Sequence, residues 1–262
     1  MALADRLRVR AAMASDRGKV REQNEDACLA APERGLFIVS DGMGGQQAGA
    51  AASRIVVNVL PPLLERELGR GRLSPEHIRQ SLARATAELS AQLRAEAAKR
   101  PGLFGMGATA VLALLTERQA HIMHLGDSRA YLLRRGRLRR LTQDHTVAAV
   151  LLRLDEITPE EAGEHPGTHR LTRYVGMEGE ALPDIQTLRL EAGDRLLLCS
   201  DGLTGMVSDR RIAHLLRQQP TPEDACQALI AAANAAGGRD NISAIVIDVD
   251  AVPPDTEAAA SV

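Results

Sequence analysis

The chain has 262 residues, 45% of them hydrophobic, and a net charge of −2. That length suits one large domain or two small ones, and the near-neutral charge argues against a general affinity for nucleic acid or an anionic membrane. No run of about 18 apolar residues exists, so no membrane-spanning helix is expected, and the start Met1-Ala2-Leu3-Ala4-Asp5-Arg6 lacks the apolar core of an export signal.

In chain order, Val9 to Ala14 and Ala27 to Ala31 read as short strands around a turn at Asp16-Arg17-Gly18-Lys19, and Gly35 to Ser40 as a third. Ala48 to Leu60 reads as a helix of small residues packed closely on a sheet and stopped by Pro61-Pro62. Ser74-Pro75-Glu76 is a helix start, with Ser as N-cap and Pro at the first position. Ile78, Leu82, Ala85, Leu89 and Leu93 then form one apolar stripe of a long helix that ends before Pro101-Gly102. Strands are expected over Ala108 to Leu115, Ala120 to Leu125, Arg129 to Leu133 and Arg137 to Leu141, the last two joined by a tight hairpin at Arg135-Gly136.

Residues His145 to Gly176 carry no long strand signal, only a capping-box helix start at Thr158-Pro159-Glu160-Glu161. Ile185 to Leu190 and Arg195 to Cys199 are strands flanking a turn at Glu191-Ala192-Gly193-Asp194. Ser208 and Thr221-Pro222 each begin a helix, the second running to a glycine cap at Gly237-Gly238. Ile242 to Val249 is a last apolar strand, and residues 252–262 are expected to be a disordered tail. Strands thus come in adjacent runs with helices inserted in pairs. This is an α+β pattern of antiparallel sheets with helices outside, not the strict alternation of a doubly wound fold. With Trp absent and aromatics at 2%, the core must be built from Leu, Val, Ile and Ala. Cys28, Cys199 and Cys226 are far apart and odd in number, which suggests a reducing, cytoplasmic setting rather than a disulfide framework.

The chemistry is concentrated in two copies of one pattern. Ile38-Val39-Ser40-Asp41-Gly42-Met43-Gly44-Gly45 and Leu198-Cys199-Ser200-Asp201-Gly202-Leu203-Thr204-Gly205 each end an apolar run in Ser-Asp-Gly and further glycine. The reading is a buried strand delivering a carboxylate to its rim, followed by a turn that glycine accommodates easily. Asp-Gly alone is a common turn pair, but two matched copies beside other acidic motifs point to a metal site. Those motifs are Arg21-Glu22-Gln23-Asn24-Glu25-Asp26, Gly126-Asp127-Ser128-Arg129 and Gly238-Arg239-Asp240-Asn241. Carboxylates and a glycine carbonyl are hard donors suited to Mg²⁺ or Mn²⁺, whereas the seven histidines and three cysteines show no zinc-type spacing.

With these motifs in this order, and with Gly105-Met106-Gly107-Ala108-Thr109 between them, the chain resembles the metal-dependent protein phosphatase (PPM, type 2C) family in its bacterial form, from about Val9 to about Val249. The resemblance implies a four-layer αββα sandwich: two antiparallel sheets flanked by helical pairs, as a single domain over residues 1–251, with a metal cleft at one end and a flap at about 145–177. It implies hydrolysis of phosphoserine and phosphothreonine in proteins by a water activated between two divalent ions. Asp41 would bridge the ions, Gly42 carbonyl and Glu25 or Asp26 would serve one side, and Asp201 and Asp240 the other. Asp127 would share a third, weaker ion with Asp201, and Arg21 would hold the phosphoryl group. Asn241 is expected to orient its loop. Two departures stand out. Met43 occupies a position where many eukaryotic members have a histidine proposed as general acid, and His169 one where asparagine is common. The implied partners are phosphoproteins and an opposing Ser/Thr kinase, with the enzyme expected to be a monomer.

Two rival readings compete. Gly126-Asp127-Ser128 matches the GDS motif of serine esterases, but the last histidine is His214, with no Asp three residues before it, and GxSxG is absent. A non-catalytic phosphoprotein-binding module of the same fold would be expected to have lost a metal carboxylate, and none is missing.

Overall fold

The computed structural model describes residues 7–69, 74–103 and 105–251. The expected tail, 252–262, lies outside them. The strands are β1 (Leu7–Asp16), β2 (Asp26–Ala31), β3 (Leu36–Met43), β4 (Gly107–Ala108), β5 (Ala110–Thr116), β6 (Gln119–Leu125), β7 (Arg129–Arg134), β8 (Arg137–Arg140), β9 (Asp184–Arg189), β10 (Asp194–Cys199) and β11 (Ile242–Ala251). The α-helices are α1 (Gln46–Leu68), α2 (Pro75–Lys99), α3 (Val147–Arg153), α4 (Pro159–Glu164), α5 (Asp201–Thr204), α6 (Asp209–Gln218) and α7 (Pro222–Ala235).

One antiparallel sheet has the order β1-β11-β10-β7-β8 and the other β2-β3-β5-β6-β9, with β4 paired to the end of β3. Side chains alternate between the faces of each strand. Phe37, Val39, Val111, Ala113, Leu196, Leu198, Ile245 and Ile247 therefore meet between the sheets. Ile38, Leu112 and Leu114 face α1 and α2, and Leu197, Cys199, Ala244 and Val246 face α6 and α7. Both faces of the central strands are covered, which is why they read as unbroken apolar runs. The layers are helix, sheet, sheet, helix, as the resemblance implied.

Helix α2 starts as its sequence dictates: Ser74 Oγ accepts from His77 N at 3.1 Å, and the stripe Ile78, Leu82, Ala85, Leu89 and Leu93 is buried. Thr158 and Glu161 close the capping box of α4. Helix α1 corrects one expectation, because it runs through Pro61-Pro62 to Leu68. Each proline removes a helical hydrogen bond. The stretch beyond them nevertheless buries Leu63 and Leu64 against the same core as Val56 and Leu60. It is then pinned to α2: Arg84 Nε donates to Glu67 Oε2 at 2.7 Å, Ser81 Oγ to Glu67 O at 3.1 Å, and Arg66 pairs with Glu88. Burial and cross-helix bonds outweigh the two missing N–H groups.

Candidate metal and phosphate site

The two Ser-Asp-Gly copies end side by side but fold differently. In the first, β3 continues through Gly42 and Met43, pairing with Ala108 and Gly107. In the second, Asp201 opens the short helix α5. In the first copy the expected glycine turn falls at Gly44 and Gly45, with φ 116 and 91, whereas in the second copy no glycine has a positive φ and the expected turn is corrected; Gly42 and Gly202 themselves have no positive φ. Both are needed for close approach. A Cβ on Gly42 would lie 1.9 Å from Gly49 O, and one on Gly202 would lie 2.0 Å from Asn241 O. Glycine here lets α1 press on β3, and α5 press on the Asp240-Asn241 segment.

Hydrogen bonds from buried neighbours fix the backbone that carries the carboxylates. Asp41 N donates to Thr109 Oγ1 at 2.9 Å and Thr109 N to Asp41 O at 2.8 Å, while Thr109 Oγ1 also pairs with Ser128 Oγ at 2.6 Å. The loops of Asp41 and Asp127 are therefore tied together through one threonine. Asn241 plays the same part on the opposite wall. Its Oδ1 accepts from Glu25 N at 2.8 Å, and its Nδ2 donates to Arg17 O and Gln23 O, both at 2.9 Å. Asn241 thus orients the loops bearing Arg21, Glu25 and Asp240.

The result is a cleft of about 450 Å³ whose lining includes Arg21, Glu25, Asp41, Gly42, Met43, Asp127, His169, Asp201 and Asp240. Burial, then the charges of Asp26, Asp201, Asp127 and Asp240, pushes the Asp41 carboxyl well above the usual range. Burial and then Asp201 do the same to Asp127, and burial raises Glu25. Asp201 Oδ1 is buried without a hydrogen-bond partner. Crowded carboxylates with raised proton affinity and an orphaned oxygen fit a centre built to receive cationic charge, and five carboxylates with the Gly42 carbonyl fit a hard divalent ion. No ion or ligand forms part of this structure.

Arg21 stands at the rim, its side chain about half exposed, with Nη2 donating to Asp240 Oδ2 at 2.8 Å. Of the two alternatives Glu25 and Asp26, Glu25 lines the cleft and Asp26 stands apart. It does not line the cleft but lies behind it, opposite Asp41 in the β2–β3 ladder, with Oδ2 accepting from Ser200 Oγ at 2.7 Å. The flap reaches the cleft through His169 and Leu171. His169 Nδ1 lies 3.4 Å from Asp201 Oδ2, and that carboxylate above all holds the imidazole toward its protonated form. Ligand-type atoms of Asp127, His169 and Asp201 lie within 4.8 Å of one another. No local motif marks His169; only the folding of the flap over the cleft brings it there.

A second cluster, His124, His145 and Asp184, is equally compact. Its ring nitrogens are already engaged: His124 Nε2 with Gln143 O at 2.8 Å, and His145 Nδ1 with Gly126 N at 3.2 Å. Arg173 forks onto Asp184 at 2.7 and 3.2 Å. This cluster is a structural joint at the root of the flap.

Comparison with known proteins agrees with the geometry. The sequence pattern of protein phosphatase 2C matches residues 17–238. The serine/threonine phosphatase stp of Listeria monocytogenes is 36% identical over 239 residues, spanning 90% of this chain and 94% of that protein. The serine/threonine protein phosphatase PstP of Mycobacterium tuberculosis is 39% identical over 242 residues, 92% of this chain and 45% of that protein. A crystal structure of the catalytic domain of PstP in complex with two manganese ions superposes with a TM-score of 0.78 at 36% identity, covering 93% of this chain and 99% of that one. The S. agalactiae serine/threonine phosphatase superposes with a TM-score of 0.85 at 31% identity, covering 92% and 100%. The buried acid cleft, the αββα layers and these likenesses place the chain in the protein phosphatase 2C family.

Proposed function

We propose that the cleft hydrolyses phosphoserine and phosphothreonine esters of proteins, with Asp41, Asp201, Asp240, Glu25 and the Gly42 carbonyl holding two Mn²⁺ or Mg²⁺ ions. Asp127 would share a third, weaker ion with Asp201. The protein is a metal-dependent protein serine/threonine phosphatase. The observation that carries the residue assignment is the convergence of five carboxylates on one open cleft, with Arg21 and His169 as the cationic groups in its lining. When bound, the divalent ions supply charge neutralisation and activate water for in-line attack on phosphorus.

The chain's own groups do the rest. Arg21 offers a half-exposed guanidinium whose planar fork matches two phosphoryl oxygens. Thr109 and Asn241 fix the walls, so the carboxylates need little reorganisation when cations arrive. Asp26 contributes negative charge from behind the wall rather than a direct ligand atom, and Glu25 is the acid of that pair that faces the cleft. Met43 lines the cleft and has no proton to donate to the leaving group.

Residues 1–251 form one phosphatase unit in this reading, since both sheets and the flap contribute to a single cleft. A monomer belongs to the same reading. An opposing Ser/Thr kinase follows from the chemistry, because something must install the phosphate. A cytoplasmic setting is supported by three cysteines that are all free. Among the described residues no helix is long and apolar enough to cross a membrane.

The test is a phosphopeptide panel after chelator treatment, with and without Mn²⁺. Phosphate release from phosphoserine and phosphothreonine peptides only with the ion is expected. Full turnover in chelator, or no turnover on any peptide with Mn²⁺, would overturn the reading.

A further inference from the structure

The joint at the root of the flap is engaged in a one-sided way. Both polar groups of Gly126 are taken by one residue: His145 N donates to Gly126 O at 3.0 Å, and Gly126 N donates to His145 Nδ1 at 3.2 Å. Gly126 has φ +102, and a Cβ there would lie 2.6 Å from Thr109 Cγ2, so its conformation is one that a side chain would neither favour nor fit. The next residue is Asp127. On its other side His145 reaches the flap, with its carbonyl accepting from Thr172 N at 2.8 Å, beside Leu171 in the cleft lining.

The ring itself is tightly held. It is 3% exposed, stacks on His124 with centroids 4.4 Å apart, and places Nε2 3.2 Å from Asp184 Oδ2. Because Nδ1 accepts a hydrogen bond, the ring proton belongs on Nε2, facing that carboxylate. Burial, then the neighbouring His124, pushes His145 down to about 4, so the neutral ring needed for this bond is the form present near neutral pH.

We propose that His145 is a positioning residue: through its clamp on Gly126 it sets the Asp127 carboxylate for the weak third cation and couples that site to the flap. The proposal rests on the reading of Asp127 and Asp201 as that ion's ligands. A purely structural role for His145 makes a different forecast, because the register of β7 has its own supports. Arg129 forks onto Asp144, with Nη2 to Oδ2 at 2.7 Å, and Ala130 N donates to Thr142 Oγ1 at 3.1 Å. Loss of the clamp should therefore leave the fold in place and loosen the Asp127 loop.

Two conservative variants separate the two ring nitrogens. In His145→Asn the amide oxygen falls near the place of Nδ1 and can still accept from Gly126. In His145→Gln the amide nitrogen falls near the place of Nε2 and can still reach Asp184, but the acceptor for Gly126 is gone. The experiment is calorimetric titration of the chelator-stripped full chain with Mn²⁺, resolving tight and weak phases, for wild type, both variants and Asp127→Ala. It is paired with thermal melting in chelator and with the Mn²⁺ dependence of phosphopeptide hydrolysis. His145→Gln should weaken the weak phase by roughly five- to tenfold and leave the tight phase unchanged. His145→Asn should stay within about twofold of wild type, since its acceptor keeps the hydrogen bond. Equal losses in the two variants, or an unaltered weak phase in His145→Gln while Asp127→Ala abolishes it, would overturn the proposal. A weak phase that survives in Asp127→Ala would overturn the third-ion reading and the proposal with it. Should His145→Gln not fold, His145→Ala takes its place, since it also lacks the acceptor for Gly126: a weakened weak phase beside an unchanged tight phase supports the clamp and an unaltered weak phase refutes it.

Discussion

Asp26→Asn separates a charge behind the wall from a ligand in it. Asp26 Oδ2 accepts from Ser200 Oγ at 2.7 Å, and its Oδ1 is buried with no partner. Burial first, with Asp201 and Asp240 adding repulsion against the Ser200 hydrogen bond, raises the carboxyl from 3.8 to about 7. A folded-state value above the unfolded one means that the folded protein binds this proton more tightly. The associated stability is fully present below about pH 4 and is lost as pH rises through about 7. At about 1.4 kcal/mol for each tenfold change in proton affinity, the loss approaches roughly 4 kcal/mol at pH 8.

Asparagine keeps an oxygen for Ser200, places an N–H donor where the orphaned oxygen was, and carries no charge. In chelator, urea unfolding should show wild type losing stability between pH 5.5 and pH 8 while the variant changes less. At pH 8 the variant should be the more stable by about 2–4 kcal/mol. Excess Mn²⁺ should favour wild type more strongly than the variant, because bound ions stabilise the folded state according to their affinity for it. Both proteins should retain tight ion binding. A variant no more stable than wild type at pH 8 in chelator would refute the electrostatic argument. Complete loss of tight ions would make Asp26 a direct ligand.

Three further outcomes are expected. Asp41→Asn should abolish turnover on phosphopeptides yet melt no lower than wild type in chelator, because a neutral amide replaces a carboxyl whose charged form burial and crowding disfavour; a near-normal rate would remove Asp41 from the centre. Arg21→Ala should raise KM and weaken inhibition by inorganic phosphate, with stability changing by less than about 1 kcal/mol because the Asp240 pair is largely exposed; unchanged phosphate inhibition would return Arg21 to a surface charge. Gly202→Ala brings a Cβ to 2.0 Å from Asn241 O, a backbone atom that cannot move aside alone. Overpacking of this kind destabilises by about 1–3 kcal/mol, and tight Mn²⁺ affinity should fall as Asp201 is pushed away from Asp240; calorimetry showing wild-type affinity would contradict that geometry.

The parts of this fold legible from sequence are those set by local physics. The capping residues Ser74, Thr158, Ser208 and Thr221 each accept from a backbone N–H three residues on. The β10–β11 core alternates faces as its apolar runs require. Pro61-Pro62 misled because a local penalty is visible in sequence, whereas the compensating burial of Leu63 and Leu64 against α2 is not. Helix α3 leaves no legible signal for a similar reason. At seven residues it is too short for a periodic stripe, and it buries only Ala148.

The site divides along the same line. A carboxylate at a strand end leaves a local trace, so Asp41, Asp127, Asp201 and Asp240 could be read together, and the structure brings all four to one cleft. Between Glu25 and Asp26 the sequence offers no choice, since adjacent residues of an acidic pair look alike. The choice arises from pairing: Asp26 falls inside the β2–β3 ladder, its carboxylate held by Ser200 just beyond β10, while Glu25 stands just before the strand and faces the cleft. The two Asp-Gly pairs carry the same lesson in reverse. They are identical in sequence, yet one continues as strand to a turn at Gly44-Gly45 and the other begins a helix. What they share is a glycine pressed within about 2 Å of a carbonyl oxygen once a Cβ is imagined there, so each carboxylate sits where two backbone segments come closest. The motif therefore marks close packing at the metal wall more than it marks a turn.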